Sequence, residues 1–169
     1  NSIMCLFYTM LRTVEIRRMQ WSFVDFENRI ITFEKQTREQ LKKGMRLTKK
    51  NKTHVVPMSE QVYQILLKQK KLTGRKTYVF EAVYNGGMMP ATTINRALQY
   101  IMQNVTAHDF RATASTLLNE LGYDEKWIEK QLAHQEANKT KATYDHSKHL
   151  TERRQMLQDW ANIVDSWKE

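Results

Sequence analysis

The residues best able to do chemistry stand in one short stretch, Thr106-Ala107-His108-Asp109-Phe110-Arg111-Ala112-Thr113-Ala114. His108 and Arg111 are three positions apart at the expected start of a helix, and side chains at that spacing share one helix face. A guanidinium offers a planar fork of donors that matches a phosphate or a carboxylate. An imidazole exchanges a proton near neutral pH. The pair therefore reads as a device that grips an anion and moves a proton beside it. A solvated helix face can carry the same two residues, so the reading needs partners from elsewhere in the chain. The candidates, in order, are Arg12, Lys49, His134 and Tyr144. Each has a plain structural reading as well: Arg12 as a partner for Glu15, Lys49 as one of eight basic residues in its stretch, His134 as a helix C-terminal donor, Tyr144 as a surface tyrosine.

Several elements must position these groups. Residues 2–11 are mostly apolar and read as a helix already under way, with helical spacing resuming from Val14 to Trp21. The branched and aromatic run from Phe23 to Phe33 reads as strand, with Ile31 and Phe33 on one face. Residues 35–52 are mostly charged, and Thr53–Pro57 reads as a short strand pairing with residues 45–48 across a turn near Asn51. Ser59-Glu60 opens a helix carrying Val62, Ile65 and Leu66, which Gly74 ends. Tyr78–Phe80 reads as a short strand and Asn85-Gly86-Gly87 as a turn. After Pro90, Ile94, Ala97, Leu98, Ile101 and Met102 recur at helical spacing.

The central helix starts near His108, buries Phe110, Ala114, Leu117, Leu118 and Leu121, and stops at Gly122. Asp124 is the expected N-cap of the next helix, which runs to Ala133-His134-Gln135 and packs through Trp127, Ile128 and Leu132. A last amphipathic helix spans residues 150–167. The fold class expected is mainly α with a small antiparallel β-sheet.

The 169 residues suffice for one domain with a core. Lys and Arg number 27 against 18 Asp and Glu, a formal charge of +9, which makes a polyanion the first partner to consider. Lys42, Lys43, Arg46, Lys50 and Lys52 concentrate that charge and are the expected DNA-phosphate contacts. The one cysteine, Cys5, sits in an apolar run and reads as a core thiol, in keeping with a reducing cytoplasmic setting. No apolar run reaches membrane-spanning length and no signal-peptide pattern opens the chain. His134, His146 and His149 could suggest a metal, but no carboxylate or cysteine completes a ligand set.

In their order and spacing, Arg12 with Glu15, Lys49 ahead of Pro57, the His108-x-x-Arg111 box, Leu132-Ala133-His134 and Tyr144 resemble the catalytic domain of tyrosine recombinases, the phage integrase family. The integrases of satellite phages and pathogenicity islands look most similar. The likeness is densest from Thr106 to Trp160, through TAHDFRATASTLLNELGYDEKWIEKQLAH, ATYDHS and ERRQMLQDWA. Thr13-Val14 depart from a Pro-Gly common in that branch. The resemblance implies that residues 1–169 form a C-terminal catalytic domain, with the DNA-clamping N-terminal domain and the start of the first catalytic-domain helix absent.

It also implies the roles. Tyr144 is the nucleophile, storing the broken phosphodiester as a phosphotyrosyl ester. His108 is its base, Arg12 and Arg111 grip the non-bridging oxygens, and His134 donates to a phosphate oxygen. Lys49 protonates the departing 5′ oxygen, with Lys50 the alternative. Fixed cations do the work, so neither metal nor cofactor is expected. Partners implied are double-stranded DNA and, on DNA, a tetramer of this chain; without DNA a monomer is expected. The competing readings are a type IB topoisomerase, a family that lacks the His108 equivalent, and a DNA-binding module without activity.

Overall fold

The computed structural model describes residues 1–42, 44, 51–84, 86–133 and 149–167. Helix α1 (Ser2–Thr9) is the hub: it packs against α4 (Glu60–Thr73), α5 (Thr93–Ile101), α6 (Ala107–Glu120) and α8 (Leu150–Ser166). Its sequence, SIMCLFYT, is apolar on most sides, as a helix enclosed by neighbours must be. Cys5 is fully buried there, and burial pushes its thiol up to about 12, so it is a core group and not a nucleophile. Trp160 of α8 donates its indole N–H to the Phe7 carbonyl at 2.8 Å. Phe110 of α6 stacks on Phe7 at 3.7 Å between ring centroids. These two contacts fix α8 and α6 against the hub.

Met10 ends α1 in the left-handed region at φ 53°. The chain reverses there and enters α2 (Thr13–Arg18), shorter than the helical spacing to Trp21 suggested. Residues 21–23 form instead a single 3₁₀ turn. The sheet has three antiparallel strands in the order β1 (Val24–Asp25), β2 (Ile30–Phe33), β3 (His54–Pro57). Ile31 lies opposite Val56 and Phe33 opposite His54, so strand alternation turns these four side chains inward.

Strand β3 thus takes β2 as its partner; the expected partner, residues 45–48, lies outside the described residues. Asn51 has a positive φ, 49°, and exchanges hydrogen bonds with the Gln36 main chain. The charged stretch also contains a helix that composition did not announce, α3 (Arg38–Lys42). Tyr78–Phe80 makes no strand: Tyr78 forms only an isolated bridge to Gln20.

The expected starts at Ser59 and Asp124 and the expected stop at Gly122 are present, and α6 has a cap besides. The Ser59 hydroxyl accepts the Val62 N–H, and the Asp124 carboxylate accepts the Lys126 N–H at the start of α7 (Glu125–Gln131). Asp109 accepts both the N–H and the hydroxyl of Thr106 at the start of α6, and Gly122 supplies the positive φ that stops it. Two expected apolar stripes end early. Ile101, Met102 and Leu121 face solvent, because each sits at the frayed end of its helix past the last packed turn. Val62, Leu66, Leu98, Ala114, Leu118, Ile128, Met156 and Trp160 join one core, where each large apolar side chain contributes roughly 1.5–3 kcal/mol.

Candidate active site

Arg12 and Arg111 meet on one atom. Arg12 is the N-cap of α2, placed by the reversal at Met10. Its Nη2 donates to the Leu132 carbonyl at 3.1 Å. Arg111 lies one turn into α6, seated on α1 by the Phe110–Phe7 stack. It donates to that same Leu132 carbonyl and to the Met10 carbonyl. Leu132 caps the C-terminus of α7, where helix carbonyls lack intrahelical partners and carry partial negative charge. Ala133 follows at φ 47°, an αL conformation that turns the chain immediately beyond that carbonyl. Leu132, 120 positions from Arg12 in sequence, thereby becomes its direct neighbour and brings Arg111 to the same atom.

Glu15 closes the arrangement. Its side chain is fully buried, accepts the Arg12 backbone N–H at 2.7 Å and lies 3.4 Å from Arg12 Nη1. Burial raises its carboxyl pKa in spite of the Arg12 and Arg111 charges, which act the other way. Burial, followed by the Arg12 charge, pushes Arg111 down to about 10. Arg111 therefore stays protonated at neutral pH, with Arg12 still partly open to solvent: two cations are held together facing one spot. Each guanidinium has five N–H donors, and these contacts use only some of them.

His108 is exposed, two positions into α6, on the face of Arg111 and one turn nearer its N-terminus. Its neighbour Asp109 is held below the usual carboxylate range, first by the hydrogen bonds from Thr106. Lys42, at the end of α3, and Lys52 are exposed. Lys43, Arg46, Lys49, Lys50, His134 and Tyr144 lie outside the described residues. His134 follows the shared Leu132 carbonyl by two positions in sequence. The groove of about 550 Å³ between α1, α4 and α8, lined by Tyr8, Gln61 and Asp165 among others, contains none of these candidates.

Two buried polar residues had no role in the sequence reading. His54 of β3 stacks against Phe33, and neither ring nitrogen makes a hydrogen bond among the described residues. Burial first, then the charges of Arg153, Arg111 and Arg12, hold it neutral, well below the usual histidine range. Arg153 of α8 is 1% exposed. The available signal was weak: an inward register for His54, and an apolar i+3/i+4 neighbourhood for Arg153.

The phage integrase family model matches residues 1–150. The chain belongs to the phage integrase family. Among relatives of this integrase-family chain, the integrase of Shigella phage Sf6 is 36% identical over 164 residues, covering 94% of the chain and 40% of that protein. Prophage integrase IntS of Escherichia coli K12 is 35% identical over the same length, with the same coverage. The integrase of Enterobacteria phage P4 is 34% identical over 168 residues, 93% of the chain and 38% of that protein. The chain thus spans about 40% of the length of the relatives it matches. Its fold is shared with XerA recombinase, TM-score 0.64 at 22% identity over 91% of this chain and 56% of that one. It is also shared with the Tn1549 transposon integrase solved with circular intermediate DNA, TM-score 0.60 at 22% identity over 91% and 55%. The integrase fold, mainly helical with a small antiparallel sheet, is the one expected from the sequence.

Proposed function

We propose that this chain is the strand-cleaving and rejoining domain of a site-specific DNA recombinase. The observation that carries the reading is the pairing of Arg12 and Arg111 on the Leu132 carbonyl beside buried Glu15. Two rigidly held guanidiniums are what the extra negative charge of a phosphoryl-transfer transition state requires. The Tyr144 oxygen attacks the phosphorus, its proton passes to His108, and the bond to the 5′ oxygen breaks. Lys49, or Lys50, protonates the departing 5′ oxygen. The products are a 3′-phosphotyrosyl ester and a free 5′-OH, and the reverse attack reseals the strand. His134 donates to a phosphate oxygen. Lys42, Lys43, Arg46, Lys50 and Lys52 contact the DNA backbone, so binding should weaken steeply with salt.

The rest of the assignment is proposed on the same footing. Residues 1–169 act as the catalytic portion of a longer integrase, in the bacterial cytoplasm where its DNA lies. It assembles as a tetramer on double-stranded DNA and is a monomer without it. Among the described residues no helix is long and apolar enough to cross a membrane.

The test is a nicked duplex from the end of the mobile element that encodes the chain, on which cleavage traps the covalent complex. A protein–DNA band resistant to denaturant is expected from the wild-type chain and not from Tyr144→Phe. Wild-type protein that binds the duplex without ever yielding that band would leave a binding module. Lys49→Ala should slow the band's appearance by about 100-fold or more, and a substrate with sulfur in place of the 5′ bridging oxygen should restore it. Rescue confined to Lys50→Ala would move the general acid to Lys50.

A further inference from the structure

Arg153 is buried, charged and unused by the reaction just proposed. Its Nη2 donates to the Val55 carbonyl of β3 at 2.7 Å and to the Gln131 side-chain carbonyl of α7 at 2.6 Å. Its Nε has no hydrogen-bond partner, and no carboxylate pairs with it among the described residues. Gln131, itself fully buried, donates onward to the Thr9 carbonyl at the end of α1 at 2.8 Å. One guanidinium thereby ties α8, α7, β3 and α1 together.

Each tied segment adjoins a proposed reactive group. Val55 lies six positions after Lys49, and Thr9 three before Arg12. Gln131 directly precedes Leu132, whose carbonyl holds both arginines, and lies three positions before His134. Arg153 lies nine positions after Tyr144 in sequence, on α8. Its charge also helps to hold His54, the strand residue just before Val55, neutral.

Stability does not explain the choice of residue. Taking a guanidinium out of water without a counter-charge is costly, and an apolar side chain of similar volume often serves a core as well or better. What an apolar residue cannot do is fix two polar segments at hydrogen-bond precision.

We propose that Arg153 is a positioning residue for DNA cleavage: through Gln131 and the Val55 carbonyl it locks the end of α7 against β3 and α1, and so fixes the Leu132 carbonyl on which Arg12 and Arg111 converge. This rests on the function proposed above. Because Arg153 is buried, it acts on the reacting groups through these segments and not by touching DNA.

The experiment uses the same nicked duplex with the wild-type chain, Arg153→Met and Arg153→Lys. It measures the melting temperature, the DNA affinity and the single-turnover rate of adduct formation at saturating DNA. A misplacement on the order of 1 Å can cost about 100-fold in rate. Arg153→Met should therefore lose about 10- to 100-fold in single-turnover rate with DNA affinity close to wild type. Arg153→Lys, which keeps the charge and can reach one of the two carbonyls, should fall between; it carries the same test if the methionine variant does not fold. A folded variant that cleaves at the wild-type rate overturns the proposal, as does a rate loss matched by an equal loss of affinity. A wild-type chain that yields no adduct fails at the earlier step and removes the proposed function itself.

Discussion

Arg153 and Arg154 are consecutive on α8, yet their guanidiniums enter opposite environments. Arg153 turns into the core, where its charge, like those of Arg111 and Arg12, acts on His54. Arg154 turns outward and donates to the Arg29 and Asn28 carbonyls at 3.1 and 3.0 Å, clasping the β1–β2 turn. Arg29 in that outer group pairs with Glu60 at 2.7 Å and lies 4.2 Å over the Tyr63 ring. The outer arginines keep water, and Arg29 adds a carboxylate partner and an aromatic face, which contribute modestly as surface ion pairs do. Arg111 and Arg153 have given up water for carbonyl oxygens, and Glu15 is the carboxylate beside Arg12. Interior cations of this kind are expensive, and the two cheaper solutions, a surface position or an apolar residue, were available to the same helix. On the function proposed above, the inner arginines serve the site while the outer ones serve the fold.

The largest expected effect tests that division directly. Arg111→Ala should abolish or lower adduct formation by about 100-fold or more. Arg111→Lys should recover little, because a point charge cannot reach the Met10 and Leu132 carbonyls and a phosphate at once. Single-turnover cleavage checks this, and a lysine variant as fast as wild type would show that only net charge matters in the interior.

The next effect is a pH dependence of stability. His54 is held neutral in the fold by burial and by the charges of Arg153, Arg111 and Arg12. In the unfolded chain it protonates near its ordinary value of 6.5. The folded state therefore binds fewer protons below that value. The stability is fully present above pH 6.5 and is lost as pH falls, with a slope approaching about 1.4 kcal/mol per pH unit. Glu15, whose pKa is raised, works in the opposite sense, losing stability as pH rises through its folded value. Urea unfolding from pH 5 to 7 should show the His54 slope, and His54→Leu should flatten it; an equal slope in the variant would place the titration elsewhere.

The smallest effect belongs to the surface. Arg29→Ala should move Tm by no more than about 2 °C and leave cleavage unchanged. A large cleavage defect there would dissolve the distinction between the two groups.

The helices that carry the site were legible because their signals are local. Ser59 and Asp124 cap two helices within a few positions of where periodicity starts them, and α8 follows from an apolar stripe. The joint order and spacing of Arg12, Lys49, His108, Arg111, His134 and Tyr144, with the run from Thr106 to Trp160, identified the family, since motif order survives in the chain itself. What remained hidden is non-local. Helix α3 forms inside a stretch whose composition spoke only of charge, and Tyr78–Phe80 lacks the neighbouring strand that would have made it one. Arg111 and Arg153 read as surface residues by type, and only packing against α1, α7 and β3 puts them inside. The meeting of Arg12 and Arg111 depends on the Leu132 carbonyl, a backbone group that every residue possesses and no side-chain pattern marks. It reaches them because α7 ends where α1 and α6 cross. Sequence determined which groups could do the chemistry, because side-chain type and helical spacing are written locally. Tertiary structure alone decided which of them are desolvated and on what atom they converge, because that requires contacts between residues up to 120 positions apart.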